Sequence, residues 1–214
     1  MIIAIDGGVA TGKSAVGRRV AAALALPFVD SGLMYRAIAA LAVEQRIDAG
    51  DGAELARLAN RVKIKVDGRR VWADGEELTS RVYDAALNPM LSRVSKIAGV
   101  RLALVAQQRA YGRGGVVMAG RDIATVVFPD ADFKFFLTAS LNEKVRRRAR
   151  QFEARGEAFD AEAMANEVAE RDRADSGRTV APLRPAEDSI IIDTDNLDLD
   201  ETVEEVLKTI RARR

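Results

Sequence analysis

The stretch Gly7-Gly8-Val9-Ala10-Thr11-Gly12-Lys13-Ser14 has the pattern G-x-x-x-x-G-K-[ST], with a short apolar run before it and a helical pattern after it. Glycines at these positions let the backbone curl until its N–H groups point inward at phosphate oxygens. The start of the following helix adds partial positive charge. Lys13 has the reach to meet the β and γ oxygens of a nucleoside triphosphate, and the Ser14 hydroxyl is placed to hold Mg²⁺. Positions 7–14 are therefore expected to hold a triphosphate. This predicts nucleotide binding and leaves the reaction open.

Histidine and cysteine are both absent from the 214 residues. That removes the commonest general base, the commonest metal ligand and any disulfide. Transfer to an existing phosphate needs none of these. A phosphate is a nucleophile at neutral pH, and catalysis can rest on positioning and charge stabilisation. The switch-GTPase reading fails, because the chain has no N-K-x-D and no D-x-x-G after the loop. A motor or helicase ATPase would need a longer chain and a strand ending in a metal-binding acid. Here the apolar run at 116–119 ends in Gly120-Arg121-Asp122.

A kinase for a small phosphorylated acceptor needs a second anion site facing the first. Arginine suits it, because its planar fork matches phosphate oxygens. Arg36, after the second expected strand, and Arg121, after the third, are the candidates. Both fall at carboxyl ends of strands, where open α/β sheets take ligands. A third basic group runs through Lys144, Arg146, Arg147, Arg148 and Arg150, and continues with Arg171, Arg173, Asp175 and Arg178. Part of this is a solvated helix face. The functional reading is a lid that closes over both ligands, supplies cations and excludes water.

The elements that must position these groups alternate. Strands are expected at 2–5, 28–30, 115–119, 133–139 and 189–194. Helices are expected at 13–25, 32–46, 92–111, 142–155, 161–173 and 201–211. Such alternation implies a parallel sheet with right-handed crossovers. One segment departs from it. Val62, Ile64 and Val66 alternate with lysines, Asp67-Gly68 follows, then Val71 and Ala73, then Asp74-Gly75, which together read as an antiparallel hairpin. One domain is expected over 1–214. It comprises a core at about 1–60, 92–142 and 179–214, an insertion at about 61–91 and a lid at about 143–178. The tail at 211–214 is expected to fray.

The 33 basic and 32 acidic residues leave a net charge of +1, which gives no sign of a nucleic-acid or membrane partner. No basic segment with a cleavable apolar stretch opens the chain, and no apolar run reaches bilayer length. A cytoplasmic monomer is expected.

Several runs together resemble the bacterial cytidylate kinases, a family of P-loop nucleoside monophosphate kinases. They are the glycine loop, Asp30-Ser31-Gly32-x-x-Tyr35-Arg36, and Gly120-Arg121-Asp122 followed by Thr125-Val126-Val127-Phe128-Pro129. Glu170-Arg171-Asp172 with Arg178-Thr179-Val180-Ala181-Pro182-Leu183 completes the set. The resemblance holds in order over nearly the whole chain, and the hairpin at 62–78 is similar to that family's extended monophosphate-binding insertion. It implies an α/β, three-layer P-loop kinase fold with a five-stranded parallel sheet, a small antiparallel insertion and a helical lid. It implies transfer from ATP to CMP or dCMP with Mg²⁺.

Carried over by position, the resemblance implies that Ser31, Arg36 and Arg121 hold the acceptor phosphate. Ser92, with Ser95 one turn on as the alternative, would read cytosine together with Arg101 and Asp122. Arg171 and Asp175 would contact the sugar, with Arg178 near the phosphates or base. Lys144, Arg147 and Arg148 would be lid cations. Lys13, Arg121, Arg147, Arg148 and Arg178 would act on the transferred group. The roles are chemically coherent. Cytosine offers an N4 donor and acceptors at N3 and O2, whereas uracil presents O4 in place of the amine.

Two departures from the family pattern carry expectations of their own. Gly8-Val9 stands where Pro-Ser is more frequent, and the missing hydroxyl predicts weaker phosphate affinity. Ala124 stands where glycine is usual, and its methyl predicts a disturbed backbone approach. A kinase for another small acceptor, namely UMP, AMP, shikimate or dephospho-coenzyme A, is the nearest alternative. A non-catalytic nucleotide sensor is the alternative outside the kinases.

Overall fold

The apolar run before the glycine loop forms a central strand, β1 (Ile2–Gly7), in a computed structural model that describes residues 1–154 and 156–213. Ile3 and Ile5 face one core and Ala4 the other, so the strand is buried on both sides. The glycine loop leads into α1 (Lys13–Ala23). That helix stops short of the expected 25, because Ala25 takes a positive φ of 53° ahead of Pro27. β2 (Phe28–Asp30) follows as expected, and Asp30 caps α2 (Ser31–Glu44) by accepting the Gly32 N–H.

The next helix, α3 (Gly52–Arg61), was not anticipated by the apolar pattern. Only Leu55, Leu58 and Ala59 are buried, and Asp51 caps it through the Glu54 N–H. β3 (Ile64–Asp67), β4 (Arg70–Ala73) and β5 (Glu76–Glu77) form a separate antiparallel sheet. In β3, Ile64 and Val66 are buried while Lys65 and Asp67 are exposed, which is the alternation the hairpin reading relied on. The second turn carries Asp74 at φ 48° and Gly75 at φ 89°. Positive φ at both central residues is what a tight type I′ turn requires. The inner face of the hairpin joins the core that α2 also lines.

The single helix expected at 92–111 is two. After the short α4 (Thr79–Val82) come α5 (Asn88–Val94), with Pro89 in its first turn, and α6 (Ala98–Ala110). The break occurs because Ile97 is extended, at φ −78° and ψ 117°. The Ser95 carbonyl accepts a bond from the Arg101 guanidinium at 3.0 Å. The break thus places Arg101 in the first turn of α6.

β6 (Val116–Gly120) then leads through Arg121 and Asp122 into a π-type turn at Ile123–Val127. The Ile123 and Ala124 N–H groups donate to the two carboxylate oxygens of Asp6 at 3.0 and 2.8 Å. Ala124 is buried and is not among the positive-φ residues, so its methyl is accommodated where a glycine was expected. β7 (Phe133–Thr138) precedes two long helices, α7 (Leu141–Glu153) and α8 (Ala161–Ser176). Phe152 and Phe159 meet edge to face across their connection, with centroids 5.6 Å apart. β8 (Ile190–Asp193) and α9 (Leu199–Ala212) end the chain, and Asp198 and Glu201 form a capping box on the last helix. The expected helix end at Arg155 and the tail residue Arg214 lie outside the described residues.

The other five strands form one parallel sheet in the order β2-β6-β1-β7-β8. One apolar cluster packs α2, α3, α6 and the hairpin on one face, and another packs α1 and α9 on the other. The result is the three-layer α/β architecture of P-loop kinases.

Candidate active site

β1, β6 and β2 are neighbours in the sheet, with Asp6 opposite Gly120 and Ala119 opposite Asp30. The glycine loop, the Gly120-Arg121-Asp122 turn and the Asp30-Ser31 turn therefore open at one carboxyl edge. Crevices at that edge are where parallel sheets take ligands.

In the loop, Gly12 sits at φ 88°, a left-handed conformation that a side chain would strain, and this lets α1 begin directly at Lys13. Lys13 Nζ donates to the Gly8 carbonyl at 2.7 Å, and Thr11 Oγ1 donates to the same oxygen at 3.1 Å. Burial pushes the Lys13 ammonium well below its usual pKa, and the nearby Arg121 and Arg171 add to the shift. The Ser14 hydroxyl donates to Asp30 Oδ2 at 2.6 Å, while Asp30 Oδ1 accepts the Gly32 N–H. Adjacent hydroxyl and carboxylate oxygens are hard donors of the kind Mg²⁺ takes. That ion is usually held by one or two protein oxygens plus phosphates and water. Among the described residues no cluster of three acidic side chains forms a dedicated cage. The donor set therefore fits an ion carried in with phosphates, with Ser14 as its protein ligand.

A carboxylate lies over this loop. Asp172 of α8 accepts the Val9 N–H at 2.9 Å and Lys144 Nζ at 2.6 Å. Its role was missed in the sequence, although Glu170-Arg171-Asp172 was singled out. Only the arginine of that run was read as functional. Arg147, expected as a lid cation, donates to Glu143 at 2.7 Å, to the Thr194 carbonyl at 2.6 Å and to the Thr194 hydroxyl at 3.0 Å. It also reaches the Ala10 carbonyl at 3.5 Å. Beside the loop a cavity of about 650 Å³ is lined by Thr11, Gly12, Arg147, Asn196 and Leu197 among others. It is large enough for a nucleoside.

Across the cleft, Ser31 is buried and its hydroxyl packs on Gly120 so closely that a Cβ there would lie 2.5 Å from Oγ. Arg36 donates to the Val82 carbonyl at 3.0 Å and to the Asn88 side chain at 3.1 Å. Arg121 Nε donates to Asp175 Oδ2 at 2.8 Å, and Arg178 pairs with the other oxygen of Asp175. Burial lowers Arg171 to a pKa of about 10, with Arg121, Arg36 and Arg148 adding to the effect. Arg178 is likewise lowered to about 10 by burial, then by Arg101. Beyond burial, depression of Lys13, Arg36 and Arg171 by neighbouring guanidinium groups marks a crowd of cations in one space. Lys13, Arg36, Arg121, Arg148 and Arg171 share it.

Beyond the arginines lies a buried ion pair, Arg101 Nη2 to Asp122 Oδ2 at 2.5 Å, each side chain at most 6% exposed. The guanidinium stacks over the Tyr35 ring at 5.3 Å. The Nε atoms of Arg101 and Arg178 are buried without a protein partner. Ser92 sits on the exposed side of α5. Ser95 is half-buried, and its carbonyl is what meets Arg101.

The comparisons agree with this geometry. The family model described as cytidylate kinase matches residues 3–212. A cytidylate kinase of Pelotomaculum thermopropionicum is 43% identical over 99% of this chain and 96% of its own length. One of Desulforamulus reducens is 44% identical over 96% of this chain and 94% of its own. A bifunctional pantoate ligase/cytidylate kinase of a Synechococcus strain is 43% identical over 98% of this chain, which spans only 40% of that protein. Among solved structures, an uncharacterized protein from Eubacterium ventriosum superposes with a TM-score of 0.55 at 15% identity, over 99% of this chain and 98% of that one. A glycine loop and an arginine-bearing turn on adjacent strands, a buried Arg–Asp pair behind them and a family match from end to end lead to one assignment: the chain belongs to the cytidylate kinase family.

Proposed function

We propose that this protein transfers the γ-phosphoryl group of ATP to CMP and dCMP, giving CDP and dCDP. The observation that carries the reading is the register of β1 on β6. It sets the loop bearing Lys13 beside the turn bearing Arg121, so that two anion sites face one cleft. Family membership supports the acceptor class. Ser31, Arg36 and Arg121 hold the acceptor phosphate. Asp122 accepts from the cytosine amine, and Arg101 donates to N3 or O2. Uracil would set its O4 against the Asp122 carboxylate, and a mismatch of this kind at a hydrogen-bonding site costs on the order of several kcal/mol. Arg171 and Asp175 contact the sugar, and Arg178 lies near the phosphates or base. Ser92 reads cytosine with Asp122 and Arg101, with Ser95, whose carbonyl accepts from Arg101, as the alternative.

The acceptor phosphate attacks without a general base. Residues 7–14 hold the donor triphosphate, and the cavity beside Thr11 and Asn196 takes its nucleoside. Lys13, Arg121, Arg147, Arg148 and Arg178 lie around the path of the transferred group and offset the charge that spreads over its oxygens. Mg²⁺, held by Ser14, supplies charge neutralisation at the phosphates when bound. α7 and α8 form the lid, at about 143–178, and 61–91 is the monophosphate-side insertion of a single domain. Both sites come from one chain, so a monomer suffices. Work in the cytoplasm is part of the same reading. No helix among the described residues is long and apolar enough to cross a membrane.

An acceptor panel with coupled detection of ADP tests the reading. CMP and dCMP should be the best of CMP, dCMP, UMP and AMP. A preference for UMP or AMP, or ATP binding with no single-turnover transfer to CMP, would overturn it. Sedimentation velocity checks the monomer.

A further inference from the structure

Asp6 is a buried carboxylate that the proposed chemistry does not use. It is 1% exposed, near the end of a strand that is otherwise apolar. Its two oxygens are taken up by backbone, accepting the Ile123 N–H at 3.0 Å and the Ala124 N–H at 2.8 Å. Burying a carboxylate away from a directly paired cation is costly, so the position would be more stable with a neutral side chain unless the carboxylate does something.

What it does follows from the order of residues. Gly120 is opposite Asp6 in the strand ladder. Ile123 and Ala124 are bonded to the Asp6 side chain. Arg121 and Asp122 lie between these two anchors, so the residue fixes both ends of the segment that carries them. Asp6 also immediately precedes Gly7, the first residue of the donor loop. One residue therefore sets the spacing between the donor loop and the acceptor turn. In-line transfer is sensitive to that spacing, since a misplacement of about 1 Å can cost a hundredfold in rate.

We propose that Asp6 is a positioning residue that locks the Arg121–Asp122 turn against the glycine loop and so sets the alignment of acceptor with donor. The proposal rests on the reading of Arg121 and Asp122 as acceptor contacts. It acts through geometry, with Lys13, Arg121 and Asp122 as the charged groups nearest the carboxylate.

The test is a double-mutant cycle of Asp6→Asn and Arg121→Met, read by calorimetric binding of CMP and of a non-hydrolysable ATP analogue, together with kcat. Asn is isosteric and uncharged, accepts one N–H and cannot accept both. Asp6→Asn should weaken CMP binding about tenfold, the scale of one hydrogen bond to a charged group. ATP-analogue affinity should change less than about twofold, since the loop keeps its own bonds. In the Arg121→Met background the same change should cost CMP about threefold instead of tenfold, because one of the two groups it positions is gone while Asp122 remains. Equal weakening of both nucleotides, or losses that multiply across the cycle, would overturn the proposal. Arg121→Met alone leaving CMP affinity intact would instead overturn the acceptor-site reading, so the two failures are distinct. Asp6→Ser, with the same expectations, replaces Asp6→Asn if the latter does not fold.

Discussion

Lys13 lies 2.7 Å from the Gly8 carbonyl and is buried, so its charge acts through little water. Lys13→Ala should lower turnover roughly a hundredfold or more, the scale of one preorganised electrostatic group. Coupled ADP release measures this, and near-native turnover rejects the role. The proposed reading assigns Arg101 to the other ligand. Arg101→Met should raise the KM for CMP while the KM for ATP barely moves, and a selective loss of ATP affinity would argue against its place. Asp6 bears on stability as well. Burial raises its carboxyl from 3.8 to about 7, against the pull of the Ala124 and Ile123 N–H groups. Between those values the native protein keeps a proton that the unfolded chain has released, so stability from this group falls as pH rises through that window. Asp6→Asn should remove that part of the slope in melting curves recorded across the window. Lys13, Arg36 and Arg121 were legible in the sequence because a motif or a strand end announces each. Asp172 was not. Its meaning depends on α8 folding back over the loop, and nothing in local spacing records that. Asp6 left a trace, an acid in a fully buried run, which motif matching alone passes over.

Elements were legible where a period and a stop signal coincide. The five parallel strands and the hairpin follow from short apolar runs, strict alternation and Asp-Gly pairs. The break between α5 and α6 did not, because the nearby Gly99 falls inside α6 and the apolar pattern runs through the break. Only the tertiary bond from Arg101 to the Ser95 carbonyl shows why the chain gives up a turn there. α3 stayed hidden since its buried stripe is three residues wide. The hairpin offers a clean test. Gly75 has φ 89° and no atom within 4 Å of a would-be Cβ, so Gly75→Ala meets backbone strain alone. It should cost about 1 kcal/mol and lower the melting temperature by about 2–4 °C for a domain of this size. The KM for ATP should be unchanged. A melting temperature equal to that of the parent would show that the turn does not hold this conformation in solution.

At the scale of the molecule, the strand order decides everything about function, since it alone brings residues 7–14, 30–36 and 120–122 to one edge. Either ligand should stabilise the fold by mass action. At a hundredfold excess over Kd the gain is about 2.7 kcal/mol, readable as a thermal shift. CMP failing to shift the melting temperature at millimolar concentration would count against a formed acceptor site. Five cations of the cleft have partners within the chain: Lys13 has the Gly8 carbonyl, Lys144 has Asp172, Arg121 and Arg178 share Asp175, and Arg36 has the Val82 carbonyl. Nucleotide uptake is then a swap of partners. A phosphate oxygen that takes one of these five must dislodge a carbonyl or carboxylate, and the departing product is chased out by the same group coming home. The enzyme is spared the self-repulsion of a bare cationic trough, and the salt sensitivity of its affinity should be milder than a tally of its arginines suggests.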